Sequence, residues 1–166
     1  MKTASLPEKK DVHHFHLDEH EKMDKRIRRA YTRLREHPET HKSHLFHGRY
    51  ENIYPPRAEF PEIEPLLEWI LGNSRDLLGH VSDELGIAFW FNEMQPGQRT
   101  SLHTHEELDE RLSAVYYVTC PDDSGRLILH DDEAQIVVDP RPGLLVLFPP
   151  DLPHEGEFNA SDETPL

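Results

Sequence analysis

The chain has 166 residues, of which 36% are hydrophobic and 30% are charged, and its formal net charge is -14 at pH 7. This length fits one domain that can bury a core without disulfides, and the apolar fraction is high enough for folding. The acidic balance argues against nucleic acid as a partner, because binding phosphates needs a concentrated basic surface. Cys120 is the single cysteine, which excludes an intrachain disulfide and a thiolate metal cluster.

Membrane insertion and secretion are not indicated by the apolar patterning. The longest apolar stretches, such as residues 144–150, fall far below the roughly 20 residues that a membrane-spanning helix requires. The first residues also lack the apolar core of a signal peptide. We therefore expect a cytoplasmic protein without membrane association.

The N-terminal part is predicted to be a flexible start followed by a helix. Residues 1–16 show no periodic apolar pattern, and their histidines favour an exposed, flexible terminus over a fixed metal site. Over residues 17–36, apolar residues recur at three- and four-residue steps, which predicts a helix with one narrow apolar face. Residues 37–60 are predicted to be irregular, with one short strand at 50–54.

The remainder is predicted to pass from helix to strands. A second helix should begin at Pro61 and end at Gly72, with a short helical piece over residues 74–78. Short runs rich in β-branched and aromatic residues then alternate with turn clusters. Strands are predicted over residues 87–94, 100–105, 112–120, 126–130, 135–138, 144–148 and 155–158. This order predicts a mainly β domain over residues 17–166, in which a helical part (17–80) braces a sandwich or barrel-like β-roll (86–158).

Three histidines form the candidate functional site. His103 and His105 flank Thr104, so both imidazoles point to the same face of a strand, and Glu107 would point there too if the strand continues. His154 follows a later apolar strand, and a roll that folds these segments side by side would gather three nitrogen donors and a carboxylate. Such a facial set leaves positions open on a non-haem iron for oxygen and a co-substrate. The sequence therefore predicts an iron(II) site for oxidation of a small substrate.

A series of motifs extends this prediction. In chain order they are Phe91-Asn92, Pro96-Gly97, His103-Thr104-His105, RLSAVYYV at 111–118, SGRL at 124–127, DPR at 139–141, PGLLVLFP at 142–149 and Leu152-Pro153-His154. Together they resemble the 2-oxoglutarate- and iron(II)-dependent oxygenases, in particular bacterial and phage-type members similar to prolyl hydroxylases. The resemblance implies a double-stranded β-helix (a jelly roll), iron(II), oxygen and 2-oxoglutarate, with hydroxylation of a small molecule or peptide side chain as the usual outcome.

The resemblance leaves two sets of metal ligands open. The alignment that preserves the spacing to residues 111–113 implies His103, His105 and His154, with His105 where the family usually has an acid. Shifting the alignment by two residues implies His105, Glu107 and His154. We prefer the first set, and His105 and His154 belong to both.

The resemblance also implies an anchor for 2-oxoglutarate. In the family, an arginine beyond the distal histidine pairs with the far carboxylate. This sequence ends at about the point where that strand would begin, so the protein either continues, holds the co-substrate differently or does not use it. Arg126 and the hydroxyl of Tyr116 or Tyr117 are alternative anchors, and Asn92 is a candidate for the keto-acid end. Tyr116 and Tyr117 should face opposite sides, so only one can line the pocket.

Two other classes of function are left open. Gly97, His103, His105, Glu110, Gly143, Pro149 and His154 also resemble the two motifs of cupins, which share the fold. A cupin would add Glu110 to the three histidines and act as a dioxygenase or isomerase without 2-oxoglutarate. The third class is a non-catalytic roll that binds metal or ligand.

Phe89, Trp90 and Phe91 are predicted to be core, and residues 37–60 and 131–142 to line the substrate pocket. Substrate and oligomeric state stay open.

Overall fold

The computed structural model describes residues 11–79, 85–105, 109–132 and 134–166. Within these ranges the chain forms two α-helices, α1 (Glu21–Leu34) and α2 (Glu64–Leu78). Its strands are β1 (His13–His16), β2 (His41–Phe46), β3 (Arg49–Tyr54), β4 (Thr100–His103), β5 (Ser113–Tyr116), β6 (Leu127–His130), β7 (Gln135–Val138), β8 (Leu144–Phe148) and β9 (His154–Gly156). None of the described helices is long and apolar enough to cross a membrane.

The strands form three antiparallel sheets. The first has the order β1-β8-β5, the second is the β2–β3 hairpin, and the third has the order β4-β9-β6-β7. Strand β8 is buried on both faces, as its unbroken apolar sequence requires. Its alternating side chains therefore serve two different cores, one on each side of the first sheet.

The inter-sheet core lies between the first and third sheets. Its buried members are Leu127, Leu129, Val138, Leu144, Val146, Phe148 and Leu152. The helix-side core lies on the other face of the first sheet, where Leu145 and Leu147 contact residues of both helices. Its helical members are Ile27, Ala30, Tyr31, Leu34, Leu66, Leu67 and Ile70. The predicted bracing of a β domain by N-terminal helices is confirmed.

The first expectation to be corrected concerns the N-terminus. Residues 13–16, predicted to be flexible, form strand β1 and pair in antiparallel register with β8, His13 opposite Leu147 and His16 opposite Leu144. Phe15 packs against the helix-side core. Backbone pairing to the apolar central strand holds this segment, and such long-range pairing leaves little local trace in a histidine-rich sequence.

The second correction concerns residues 37–60. Instead of irregular chain with one short strand, residues 41–54 form a regular hairpin. Its tight turn uses His47 and Gly48, both at positive φ (46° and 80°), which is the two-residue geometry that matches the twist of paired strands. The one short strand predicted here, at 50–54, is confirmed as β3, which pairs with β2.

Two smaller differences concern Gly72 and the segment at 87–94. Helix α2 continues through Gly72 to Leu78, because a single glycine inside a helix costs only about 1 kcal/mol. Of the strand predicted at 87–94, the structure retains an isolated bridge between Phe91 and Ile53. The other predicted strands are present, most of them shorter at one or both ends.

Candidate metal centre

Three imidazoles converge at one end of the third sheet. One ring nitrogen from each of His103, His105 and His154 lies within 4.8 Å of the other two. The ring centroids of His103 and His154 are 4.3 Å apart, those of His103 and His105 4.8 Å, and those of His105 and His154 5.0 Å. Three nitrogen donors at these separations can bind a single cation.

Strand pairing explains why the three side chains meet. His103 lies opposite His154 in the β4–β9 pair, and directly opposed residues of antiparallel strands project from the same face. The amide of His105 donates to the carbonyl of Pro150 at 2.8 Å, which ties the segment after β4 to the loop before β9. His154 also lies opposite Leu129 of β6, so its ring is backed by the inter-sheet core.

The hydrogen bonds of two ligand rings fix their tautomers. Nδ1 of His103 lies 2.7 Å from the carbonyl oxygen of Ser101, and Nδ1 of His154 lies 3.0 Å from that of Leu152. Because a carbonyl oxygen only accepts, Nδ1 must carry the proton in both rings. The Nε2 lone pair is then left for a metal, the arrangement that metal-binding histidines commonly show.

Burial keeps two of the three imidazoles neutral. Desolvation, together with the neighbouring His103, lowers the pKa of His105 to about 4, although the charge of Glu110 opposes the shift. Desolvation likewise lowers the pKa of His154 to about 4. Both imidazoles are therefore unprotonated at neutral pH, which is the form that binds metal ions.

Two aromatic side chains wall the centre. The ring of Phe148 lies 4.8 Å from that of His154, and the indole of Trp90 lies 5.2 Å from the ring of His105. Phe89 and Phe91 contribute to the helix-side core as predicted. Trp90, predicted to be core with them, instead contacts a candidate ligand. The alternation of side chains in an extended segment was the signal that could have separated Trp90 from its neighbours.

The two acidic alternatives have different outcomes. Glu107 lies outside the described residues. Glu110, the additional ligand of a cupin-type site, acts on the pKa of His105 through its charge. Among the described residues, one group of at least three potential metal ligands lies close together. It consists of His103, His105 and His154.

Asn92 and Arg126, two of the predicted 2-oxoglutarate contacts, have other partners. The Asn92 side chain accepts from Arg49 and donates to Thr100, each at 3.1 Å. Arg126 is half exposed and forms a two-bond ion pair with Glu157, at 2.6 and 2.8 Å. The structure therefore places Arg126 at the surface beside β9 and does not bring it to the histidines.

The two tyrosines face opposite sides of the first sheet, as predicted. Tyr116 packs against the helix-side core, where its hydroxyl donates to Asp24 of α1 at 2.8 Å. Tyr117 packs against the inter-sheet core instead, and burial raises its pKa well above the ordinary value. Of this pair, Tyr117 is the one on the side of the metal centre.

A cleft of about 970 Å³ lies elsewhere, on the outer face of the third sheet. Its walls include Arg99, Ile128, Gln135, Glu155 and Phe158. Gln135 belongs to one of the segments predicted to line a substrate pocket, but none of the three histidines lines this cleft. The metal centre and the cleft are separate features of the third sheet.

Antiparallel sheets braced by N-terminal helices, with three imidazoles converging on one point, define a mixed helix-and-sheet protein with a candidate mononuclear metal centre. Residues 88–138 match the family described as "Putative 2OG-Fe(II) oxygenase". The matched segment includes His103 and His105. The resemblance seen in the sequence motifs is thereby confirmed.

Solved structures of such oxygenases match nearly the whole chain. The non-heme alpha ketoglutarate dependent carbocyclase SnoK from nogalamycin biosynthesis superimposes with a TM-score of 0.70 at 18% identity, over 94% of this chain and 76% of that one. A Pseudomonas putida prolyl-4-hydroxylase gives 0.67 at 18% identity, over 93% and 88% of the two chains. A Trichoplax adhaerens prolyl hydroxylase gives 0.65 at 13% identity, over 93% and 79%. No curated protein sequence matches the chain.

Proposed function

We propose that the protein is a non-haem, iron(II)- and 2-oxoglutarate-dependent oxygenase that hydroxylates a small molecule or a peptide side chain. One observation carries the proposal: three imidazoles converge within 4.8 Å, and two of them commit Nδ1 to a backbone carbonyl. We further propose that the two packed sheets form a double-stranded β-helix, within a single domain over residues 17–166 that strand β1 extends. A cytoplasmic location stays a prediction.

Iron(II) fits the donor set. Imidazole suits iron, and three donors on one side of an ion leave positions open for other ligands. His103, His105 and His154 would hold the ion, which when bound supplies the activation of oxygen. An imidazole that binds a metal ion carries no charge, so three such ligands would not offset the double positive charge of the ion. That charge favours an anionic co-substrate such as 2-oxoglutarate, which carries two carboxylates.

The protein orients the metal ligands and shields them in part from water. Phe148 and Trp90 pack against the His154 and His105 rings, which limits the access of water to the ligands. Carbonyl oxygens of Ser101 and Leu152 hold two of the rings in a fixed orientation. Such oriented ligands need little rearrangement when the metal binds.

For 2-oxoglutarate, we retain Tyr117 as the candidate contact. Its side chain lies between the two sheets, on the same side of the first sheet as Phe148, which contacts His154. Asn92, Tyr116 and Arg126 already have the partners described above. A Tyr117→Phe variant should weaken binding of 2-oxoglutarate while leaving metal affinity unchanged, and unchanged binding of both would remove Tyr117 from the site.

Anaerobic spectroscopy tests the proposal. Addition of iron(II) and then 2-oxoglutarate to the metal-free protein should produce a weak visible charge-transfer band. The His154→Ala variant should not produce it. Metal binding without any effect of 2-oxoglutarate would favour the cupin alternative, which the all-histidine donor set also suits. Binding of both without oxygen-dependent turnover of any candidate substrate would favour a non-catalytic binding protein.

A further inference from the structure

The β2–β3 hairpin contacts strand β4 through a buried carboxylate. Glu51 is only 4% exposed, and its two oxygens accept hydrogen bonds from the amide and the hydroxyl of Ser101, both at 2.6 Å. The carbonyl of the same Ser101 accepts the Nδ1–H of His103 at 2.7 Å. One residue therefore separates a hairpin carboxylate from a candidate metal ligand.

Arg49 completes this contact. Its side chain is 9% exposed, and its guanidinium lies 3.7 Å from the Glu51 carboxylate. The same guanidinium donates to the carbonyl of Arg99 at 3.0 Å and to the hydroxyl of Thr100 at 3.2 Å. Hairpin side chains thus bind three successive residues, Arg99, Thr100 and Ser101, just before His103.

The energetics of this arrangement point to a role in geometry. Taking a carboxylate and a guanidinium out of water carries a desolvation penalty, and apolar residues of the same volume often stabilise a fold as well or better. Polar contacts in a buried position do, however, fix the register of one strand against another. Here the register they fix is that of the strand carrying His103.

The hairpin reaches a second ligand from another point. Ile53 exchanges two backbone hydrogen bonds with Phe91, at 2.8 and 3.0 Å, which fixes the segment that carries Trp90. The Trp90 indole packs against the ring of His105, with 5.2 Å between centroids. The ring centroid of Tyr54, which belongs to the hairpin, lies 5.9 Å from that of Trp90. Trp90 is therefore held between the hairpin and His105.

His154 provides a contrast. Its ring is oriented by the carbonyl of Leu152 and its strand is paired with β4 and β6, so the contacts described for it lie within the roll. From this difference we propose that the β2–β3 hairpin is part of the metal centre, with Glu51 and Trp90 as positioning residues for His103 and His105. The inference rests on the proposed metal site and does not depend on 2-oxoglutarate.

Removing groups that orient metal ligands typically lowers metal affinity by about 10- to 100-fold. Glu51 acts through Ser101, so we expect the lower end, about tenfold, for a variant that removes both acceptors. Glu51→Leu is such a variant. Glu51→Gln keeps one oxygen for the Ser101 amide and an amide group for its hydroxyl, so it should recover most of the affinity.

The test is a cobalt(II) titration of the metal-free full-length chain, read by visible absorption. We expect the dissociation constant to rise about tenfold in Glu51→Leu and in Trp90→Leu, with Glu51→Gln and Trp90→Phe close to wild type. The band shape should change in the two leucine variants, because it reports ligand geometry. Glu64→Leu, which removes an exposed partner of Arg57, is the matched control and should bind cobalt like wild type.

Folding and metal binding are separated by two further measurements. Circular dichroism and thermal unfolding of each metal-free variant show whether it is folded. If Glu51→Leu does not fold, the test uses Ser101→Ala, which removes one of the two hydrogen bonds to Glu51, and Trp90→Leu, which leaves both of them in place. Folded leucine variants with wild-type cobalt affinity and spectrum would overturn the inference.

Failure of the metal site itself looks different. If wild type does not bind cobalt, or if His154→Ala binds it with wild-type affinity, the proposed function fails along with this inference. If His154→Ala loses cobalt while the hairpin variants keep it, the metal site stands and only the role of the hairpin is refuted.

Discussion

His103 and His154 lie opposite each other in the β4–β9 pair, with ring centroids 4.3 Å apart. Each ring donates Nδ1–H to the carbonyl of the residue two positions earlier in the chain, Ser101 or Leu152. The two strands thus orient their imidazoles by the same local device. His105, beyond the end of β4, is positioned by its backbone bond to Pro150 and by the indole of Trp90.

The stability of the metal-free protein should depend on pH through the buried histidines. His105 and His154 each have a folded-state pKa of about 4, against 6.5 in the unfolded chain. Between these values the unfolded state binds protons that the folded state does not, so stability is full above pH 6.5 and falls as the pH drops towards 4. Urea unfolding at a series of pH values in this window measures the effect.

A matched variant isolates the contribution of one ring. His154→Gln cannot bind a proton, so its unfolding free energy should fall less steeply over the same pH interval than that of wild type. An equal or steeper fall in the variant would mean that His154 is protonated in the folded protein and is not the neutral donor described here.

Arg126→Ala should have little effect on stability or on binding of 2-oxoglutarate. The side chain is 50% exposed and pairs with Glu157 at the surface, and exposed pairs of this kind contribute little to stability. Glu157→Ala removes the other half of the same pair and should behave alike. Calorimetric titration with 2-oxoglutarate measures the affinity of both variants. A loss of tenfold or more in Arg126→Ala, with no loss in Glu157→Ala, would contradict the prediction.

Gly125 should be far less tolerant of substitution than Gly48. Both have positive φ, 90° and 80°, so alanine at either position costs about 1–2 kcal/mol of backbone strain. A Cβ at Gly125 would also collide with the carbonyl oxygen of Glu157, whereas at Gly48 it would meet nothing within 4 Å. Thermal unfolding should give Gly125→Ala a melting temperature well below that of Gly48→Ala. Equal losses would mean that the chain near Glu157 can shift away from the added Cβ at little energetic cost.

The strands of the roll and the ligand spacing could be predicted because their signals are local. Strands β7 and β8 have the predicted boundaries, and β6 differs by one residue, since apolar runs and turn clusters mark them directly. The placement of His103 and His105 on one face follows from the two-residue period of a strand. Their meeting with His154 was inferred by assuming that a roll brings the strands together.

The hairpin and β1 escaped prediction because their partners are distant in the sequence. Arg49 and Glu51 are charged, and charged side chains are usually exposed, yet these two are buried against residues 99–101, about fifty positions later. Strand β1 is held by β8, about 130 residues further on. Trp90 was misassigned because it was grouped with two core phenylalanines. These elements lie around the candidate site. Polar and charged side chains are buried there, whereas sequence patterning expects apolar side chains in buried positions.

The proposed metal centre requires that three imidazoles, two from residues 103–105 and one from β9, bind one iron ion. A crystal structure of the anaerobic, iron-loaded protein, with anomalous differences measured at the iron edge, tests it most directly. We expect a single peak at about 2.1 Å from a ring nitrogen of each of His103, His105 and His154, the usual metal–imidazole distance. A peak bound by His105, Glu107 and His154 without His103, or a peak elsewhere in the molecule, would contradict it.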